Sequence, residues 1–372
     1  MMVTENLINI LRLMNTDGIG PVTFYKLLEK HGNALSALEA IAQKKKPFSR
    51  QAAEDMITDA EKKSVHIITY DMPQYPQNLL QIYDAPPIIY AIGNIELLNY
   101  PYSIAIVGAR NASIAGRKIA SRIAYDLTQA EVLVVSGMAR GIDAAAHKGA
   151  LYAKQQKGPT IAVLGTGVDE IYPAENTDLY KDICQQGLVI SEFALGTKAQ
   201  VSNFPRRNRI ISALTQGILV AEASLNSGSL ITARLALEQG KEIFAVPGSP
   251  LENRAAGPNH LIKEGAVLTE SADDILNVLS MSQSRQIKIS KIQSLPLDKA
   301  KNNVNISEHK TTENSETENV NLLDLISYEG VDIDVLLRTS NLSQADFFSQ
   351  ILDLEFSGKI QRQAGNKVAR LK

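Results

Sequence analysis

Residues 103–143 read SIAIVGARNASIAGRKIASRIAYDLTQAEVLVVSGMARGID, and their pattern decides the fold. Ser103–Val107 is a short, almost continuously apolar, β-rich run that ends at a glycine. A helical stretch opens near Ser113, a second apolar run follows at Val132–Val135, and the glycine turn at 136–141 leads to a helix expected over Ala144–Gln155. The alternation continues downstream through Thr160–Leu164, Leu188–Ser191, Gly217–Ala221, Glu242–Val246 and Ala266–Leu268, with a helix expected over Leu230–Gln239. Strands that are apolar along their whole length and spaced by helices belong to a parallel sheet covered on both faces. The pattern predicts an extended Rossmann-like α/β domain over 63–280, in which ligands meet the loops beyond the carboxyl ends of the strands.

The flanks differ in kind. Residues 1–62 read as a helical domain of the SAM/helix-hairpin-helix kind, with Leu7–Met14 and Val22–His31 joined by the turn Asp17-Gly18-Ile19-Gly20-Pro21. That turn suits either a phosphate-binding hairpin or a plain helical corner. Strand-like pieces at Val65–Tyr70 and Pro87–Ala91 lead into the sheet. Residues 281–320 hold no aromatic residue and many Ser, Thr, Asn, Lys and Glu, so burial cannot offset their ordering entropy; they read as a flexible linker. Beyond it, 321–372 suggests a winged-helix-like domain, with helices at Leu322–Tyr328, Asp332–Arg338 and Ser343–Phe356 and a hairpin at Gly358–Leu371 turning at Gly365-Asn366.

Composition narrows the function classes. The 372 residues are over twice the ~150 of a typical domain, and 44% hydrophobic with 21% charged residues describes a globular chain. A net charge of −2 supplies no long-range field for a polyanion, so any such site has to be built locally. Cys184 is the one cysteine, which rules out an intrachain disulfide and a cysteine-based metal cluster; no metal and no cofactor is expected. No apolar run reaches the ~18 residues of a membrane helix, so no membrane partner is expected and the cytoplasm is the expected location.

Four loops carry the chemistry. Gly108-Ala109-Arg110-Asn111 follows the first parallel strand and precedes a helix N-terminus, so backbone N–H groups and a forked cation converge. It lacks the second glycine of a dinucleotide fingerprint, and reads equally as a phosphate site or a tight turn. Gly137, Met138, Arg140 and Gly141 repeat the device after the next strand, with Asp143 expected to cap the following helix and His147 one turn on. From Phe193 to Ala221 there is no acid, while Lys198, Arg206, Arg207 and Arg209 contribute +4 around Phe204, the aromatic-plus-arginine combination that single-stranded nucleic acid needs. Ser227-Gly228-Ser229 opens a further helix with hydroxyls at its N-terminus. A nucleotide-binding or nucleotide-cleaving enzyme on such a sheet is the rival reading, using Glu222 or an Asp143–His147 pair, although 229–237 (SLITARLAL) holds no acid. A transcription factor acting through 321–372 is a third reading, for which the wing carries few cations.

In this order, Asp71-Met-Pro-Gln-Tyr-Pro76, Pro86-Pro-Ile-Ile-Tyr90, Val107-Gly-Ala-Arg110, Ser136-Gly-Met-Ala-Arg-Gly-Ile-Asp143, Leu164-Gly-Thr-Gly167 with Tyr172-Pro173, Phe204-Pro-Arg-Arg-Asn-Arg-Ile-Ile211, Ser227-Gly-Ser229 and Val246-Pro-Gly248 resemble the DNA-processing protein A family, DprA or Smf. The resemblance implies a non-enzymatic mediator that binds and protects incoming single-stranded DNA during natural transformation and loads the RecA recombinase. By motif it makes Arg110 the central phosphate-binding arginine, with Gly108 and Ala109 lining the pocket. Phe204, Arg206, Arg207, Asn208 and Arg209 then track the strand, and Gly137, Met138, Arg140 and Gly141 shape the floor. It also implies a homodimer through 259–268, with Leu261, Ile262 and Leu268 as the apolar contacts and RecA nearby. The chain departs from the family pattern at Ala109 and Ala115, where many members carry a hydroxyl and an aromatic ring.

Overall fold

The computed structural model describes residues 5–153, 160–280 and, beyond 321, the segments 322–326, 331–340, 347, 350–351, 354–355, 357, 359–363 and 367–370. The linker expected at 281–320 lies outside the described residues. The chain divides into two compact units, Met1–Leu295 and Pro296–Lys372.

The first unit starts with α1 (Glu5–Met14), α2 (Pro21–His31), α3 (Ala34–Ala42) and α4 (Arg50–Lys62). Their starts are written locally: Pro21 opens α2, the Asn33 side chain accepts from Ser36 N at 2.9 Å, and Ser49 Oγ accepts from Ala52 N at 3.0 Å. Gly18 turns the corner at φ 75°. Leu7, Ile10, Leu11, Phe24, Leu38 and Ile57 form one core that runs on into Ile67, Ile88 and Tyr90 of the sheet, so the helices are anchored on the strands.

Nine strands make one sheet in the order β1-β2-β6-β5-β4-β3-β7-β8-β9. They are β1 (His66–Thr69), β2 (Ile88–Gly93), β3 (Ser103–Val107), β4 (Leu133–Ser136), β5 (Thr160–Val163), β6 (Leu188–Ser191), β7 (Gly217–Val220), β8 (Glu242–Ala245) and β9 (Val267–Leu268). Strands β3 to β9 are parallel, while β1 and β2 add an antiparallel edge, Tyr90 pairing Ser191 of β6. Both faces are buried. Ile104 and Ile106 of β3 meet α5 (Ile114–Gln129), α6 (Ile142–Tyr152) and a helix over 272–280, α11. Ala105 and Val107 meet α8 (Asn203–Ala213) and α9 (Gly228–Glu238). The remaining helices are α7 (Thr177–Gln186) and α10 (Ala256–Lys263).

From β3 the chain steps outward through β4, β5 and β6, then returns to place β7 against the other side of β3, Ile104 pairing Gly217 and Val107 pairing Val220. Strand order reverses there, so the loops after β3 and β7 diverge and leave a crevice, the switch point at which such sheets bind ligands.

In the second unit, β10 (Val331–Asp332), β12 (Lys367–Arg370) and β11 (Ile360–Gln363) form a three-stranded sheet beside α12 (Ile333–Thr339). Leu322, Ile333, Leu336, Phe347, Ile351 and Val368 are its core. Of the helix expected over Leu322–Tyr328, the described residues form a 3-10 turn at Leu322–Leu325, and residues 327–328 lie outside them. Residues 347, 350, 351, 354 and 355 of the expected third helix are helical, whereas its first residues and the turn at Gly365-Asn366 lie outside the described residues.

Candidate nucleic-acid interface

Three loops lace the floor of the crevice. Ala109 N donates to Glu222 O at 2.6 Å, and Ile142 N donates to Ala109 O at 3.2 Å. The packing tolerates no side chain at Gly108, whose Cβ would stand 2.6 Å from Ile142, or at Gly141, with φ 75° and a Cβ 2.2 Å from Ala109 O. Ser113 caps α5 and donates its N–H to the Glu222 carboxylate at 2.8 Å, and its hydroxyl donates to the same carboxylate. Glu222 is therefore spent on holding the α5 N-terminus.

Above this floor two adjoining cavities, about 410 and 340 Å³, share Arg110, Ala139, Tyr172, Phe204 and Arg207. The larger adds Gly108, Ala109, Asn208, Ser227, Gly228 and Ser229; the smaller adds Asn111, Gly137 and Arg140. The exposed Arg110 guanidinium lies 5.2 Å from the Phe204 ring centroid, and that ring is 5.6 Å from Tyr172 at 37°. An arginine plane over one ring beside a second ring offers stacking faces and a cation together. Tyr172 is a wall residue to which the sequence assigned no role, although the Tyr172-Pro173 pair stands among the family motifs; it lies in the long loop beyond the carboxyl end of β5.

Arg207 lies beneath the stack and is 5% exposed. Its guanidinium rests on Gly137, where a Cβ would stand 1.3 Å from Nη1. Burial lowers its pKa to about 10, leaving it a cation at neutral pH, and among the described residues Nε and Nη1 have no hydrogen-bond partner. Asp143, expected as a cap, stands instead inside the first turn of α6, which starts at Ile142. Its carboxylate accepts from Gly137 N at 3.2 Å and Ala139 N at 3.4 Å, so it braces the loop on which the Arg207 guanidinium of α8 rests. Burial raises its pKa, and the Arg207 charge opposes that rise.

No Asp143–His147 couple forms. The His147 ring is fully buried, Nδ1 lying 2.7 Å from Thr160 Oγ1, while that hydroxyl donates to Val134 O at 2.7 Å; this assigns the ring proton to Nδ1. Burial drops the His147 pKa from 6.5 to about 3. Between those values the unfolded chain holds the extra proton, so this histidine makes stability fall as pH drops below 6.5, by at most about 1.4 kcal/mol per pH unit. Asp143 contributes with the opposite sign in acid, so the comparison has to be a difference. His147→Gln should cost most near neutrality and progressively less toward pH 4 in urea titrations.

The cationic patch is smaller than the sequence implied. Lys198 Nζ pairs with Glu170 at 2.7 Å and Arg140 with Glu175 at 2.6 Å. Arg209 reaches Asp84 at 2.7 Å and Glu192 at 2.8 Å, and Arg206 lies 3.6 Å from Glu192 and 5.0 Å over Phe193. Helix period explains the split: Phe204, Arg207, Asn208 and Ile211 share the face of α8 toward the crevice, and Arg206 and Arg209 turn toward Glu192 at the end of β6. Met138 is 1% exposed and belongs to the core, its carbonyl accepting from Asn176 Nδ2 at 2.9 Å, so it lines neither cavity. Of the apolar residues at the far edge, Leu261 is 7% exposed and packs inward, Ile262 is half-buried, and Leu268 is 47% exposed on β9. Among the described residues no helix is long and apolar enough to cross a membrane, and no cluster of His, Cys, Asp or Glu is arranged to hold a metal ion.

Residues 66–280 match the family model for DNA recombination-mediator protein A, 4–59 match a DprA-like N-terminal HHH domain, and 307–366 match a DprA winged helix domain. Protein Smf of Escherichia coli is 36% identical over 329 residues, covering 88% of this chain and 83% of that one. The structure of DNA processing protein A from Streptococcus pneumoniae superposes with a TM-score of 0.63 and 34% identity, over 74% of this chain and 98% of that chain. DNA processing protein A from Helicobacter pylori, whose structure describes a single-stranded DNA binding mode, superposes at 0.53 with 28% identity over 59% of this chain and 96% of that one. A crevice at the β3/β7 reversal, in a chain whose N-terminal and C-terminal residues match the family's helical and winged-helix domains, thus comes with matches along nearly the whole chain: it belongs to the DNA recombination-mediator protein A family, DprA/Smf.

Proposed function

We propose that the chain binds single-stranded DNA in the crevice, without cutting it, protects it, and passes it to RecA during recombination of incoming DNA. The observation that carries the reading is the Arg110–Phe204–Tyr172 cluster above a buried Arg207 with two unpaired donors. Phe204 and Tyr172 take bases, Arg110 and Arg207 take backbone phosphate, and Asn208 with Ser227, Gly228 and Ser229 guides the strand along the α9 N-terminus. Gly108, Ala109, Asn111, Gly137 and Gly141 supply a backbone floor close enough for that contact, and Arg140, Lys198 and Arg206 form a rim whose cations a phosphate has to draw from their carboxylates.

The RecA hand-over, the cytoplasmic setting and a homodimer through Leu268 and Ile262 at the β9 edge come with the family. So does the division into a helical domain at 1–62, a binding domain at 63–280, a linker at 281–320 and a winged-helix-like domain at 321–372. Nucleotide cleavage is disfavoured because Glu222 is engaged by Ser113 and His147 is sealed from the crevice. Arg110→Ala and Phe204→Ala should each weaken binding of a fluorescent oligothymidylate by about tenfold, the worth of one stacked base or phosphate contact, while Phe204→Tyr retains most of it. Unchanged affinity in both alanine variants would remove the site.

A further inference from the structure

Helices α8 and α9 frame a second cleft of about 450 Å³, between their C-terminal halves and the 3-10 turn at Leu79–Gln81. Nothing in the groove described above uses it. Tyr83 stands on its rim 75% exposed, a ring held out to water by the short loop before β2. The amides of Asn78 and Gln81 line the wall beside it, and Lys241 closes the far side. Lys241 is half-buried, burial lowers its pKa, and among the described residues its ammonium makes no ion pair. The other cation there, Arg209, is already held by Asp84 and Glu192.

The two sites lie in sequence along one seam. The groove uses the N-terminal end of α9, through Gly228, Ser229 and Ile231, and the cleft uses its C-terminal end, through Leu235, Glu238 and Gln239. From Ile231 to Glu238 the helix rises about 10 Å at ~1.5 Å per residue, or about three stacked nucleotides at ~3.4 Å each. We propose that a single strand leaving the groove follows the α8–α9 seam, stacks a base on Tyr83 and sets the adjoining phosphate against Lys241. The proposal rests on the single-strand reading of the groove and extends its footprint. A base suits the cleft better than an acidic peptide does: the lining offers a ring and neutral amides that pair with base edges, carries Glu238 and Asp84, and has in Lys241 a cation that makes no ion pair among the described residues and serves one phosphate.

Length dependence tests it. Tyr83→Ala and Lys241→Ala should each lower affinity for an oligothymidylate of about twelve nucleotides by about fivefold or more, and leave that for about four nucleotides, which the groove alone holds, unchanged within twofold. Tyr83→Phe keeps the ring and should restore the long-oligomer affinity, and Glu238→Gln should raise it. Loss of both lengths in Arg110→Ala alongside no length-specific loss in Tyr83→Ala and Lys241→Ala overturns the second site and leaves the groove standing. Wild-type affinity in Arg110→Ala at both lengths overturns the groove itself.

Discussion

A Gly137→Ala protein should remain folded and lose single-strand affinity by one to two orders of magnitude. The added methyl would stand 1.3 Å from Arg207 Nη1, and the loop cannot retreat because Asp143 accepts from both Gly137 N and Ala139 N. The flexible party is the guanidinium, so Arg207 leaves its seat and takes its two unpaired donors with it. A hydrogen bond to a charged group is worth roughly 1.5–3 kcal/mol, which is about ten- to a hundredfold in binding. Gly228 supplies the control in the same groove, since a Cβ there meets nothing within 4 Å. Gly228→Ala should bind within about threefold of wild type, because it displaces no groove side chain and leaves the backbone N–H groups of the α9 N-terminus in place. Equal affinities for Gly137→Ala and wild type in anisotropy titrations would show that Arg207 is a structural cation only.

The second large effect concerns stability. Arg209 and Glu192 form a buried pair, with side-chain exposures of 8% and 4%. Removing one member of such a pair strands the other charge and costs about 3–5 kcal/mol. Arg209→Ala should lose that much in urea unfolding of the first unit, moderated where Arg206, 3.6 Å from Glu192, moves in. Asp84 is 43% exposed and rehydrates at little cost. The Arg209→Met/Glu192→Leu double variant should recover most of the loss, because apolar residues of similar size fill the site without a stranded charge. Affinity for an oligomer of about four nucleotides should stay within twofold of wild type, since Arg209 lines neither groove cavity. A stable Arg209→Ala protein with weakened binding would restore Arg209 to the DNA-contact set.

Both effects rest on contacts between residues far apart in sequence, which local patterns do not carry. Ser103–Val107, Gly108 and Arg110 were legible because strand, turn and helix start lie within a dozen residues and each obeys local rules. A ligand site beyond the carboxyl ends of parallel strands followed from the alternation of strands and helices, whereas the reversal between β3 and β7 came only from the strand pairing. Ion pairing was not legible: the stretch 193–221 holds no acid, yet Asp84 and Glu192 reach Arg209 and Glu170 reaches Lys198 from other loops. Arg207 depends on Gly137, seventy residues upstream, and only the fold brings a bare backbone under that guanidinium. Leu261 was named as a dimer contact through the family resemblance alone, and which face of α10 packs inward depends on its contacts with the sheet. Tyr172 lay in an irregular loop, where periodicity says nothing. Asp143 was misplaced by two residues, since Gly141 with its positive φ ends the turn and lets α6 begin at Ile142.

The central claim is that a small local site binds single-stranded DNA. The direct measurement is the affinity of the full chain for an oligothymidylate and for a duplex of equal length across a salt series. Two or three phosphate contacts, by Arg110, Arg207 and one rim or cleft lysine, predict tighter single-strand binding whose log–log salt slope lies between about −1.4 and −2.1, at roughly −0.7 per neutralised phosphate. Equal or tighter duplex binding, or single-strand affinity indifferent to salt, would contradict the account.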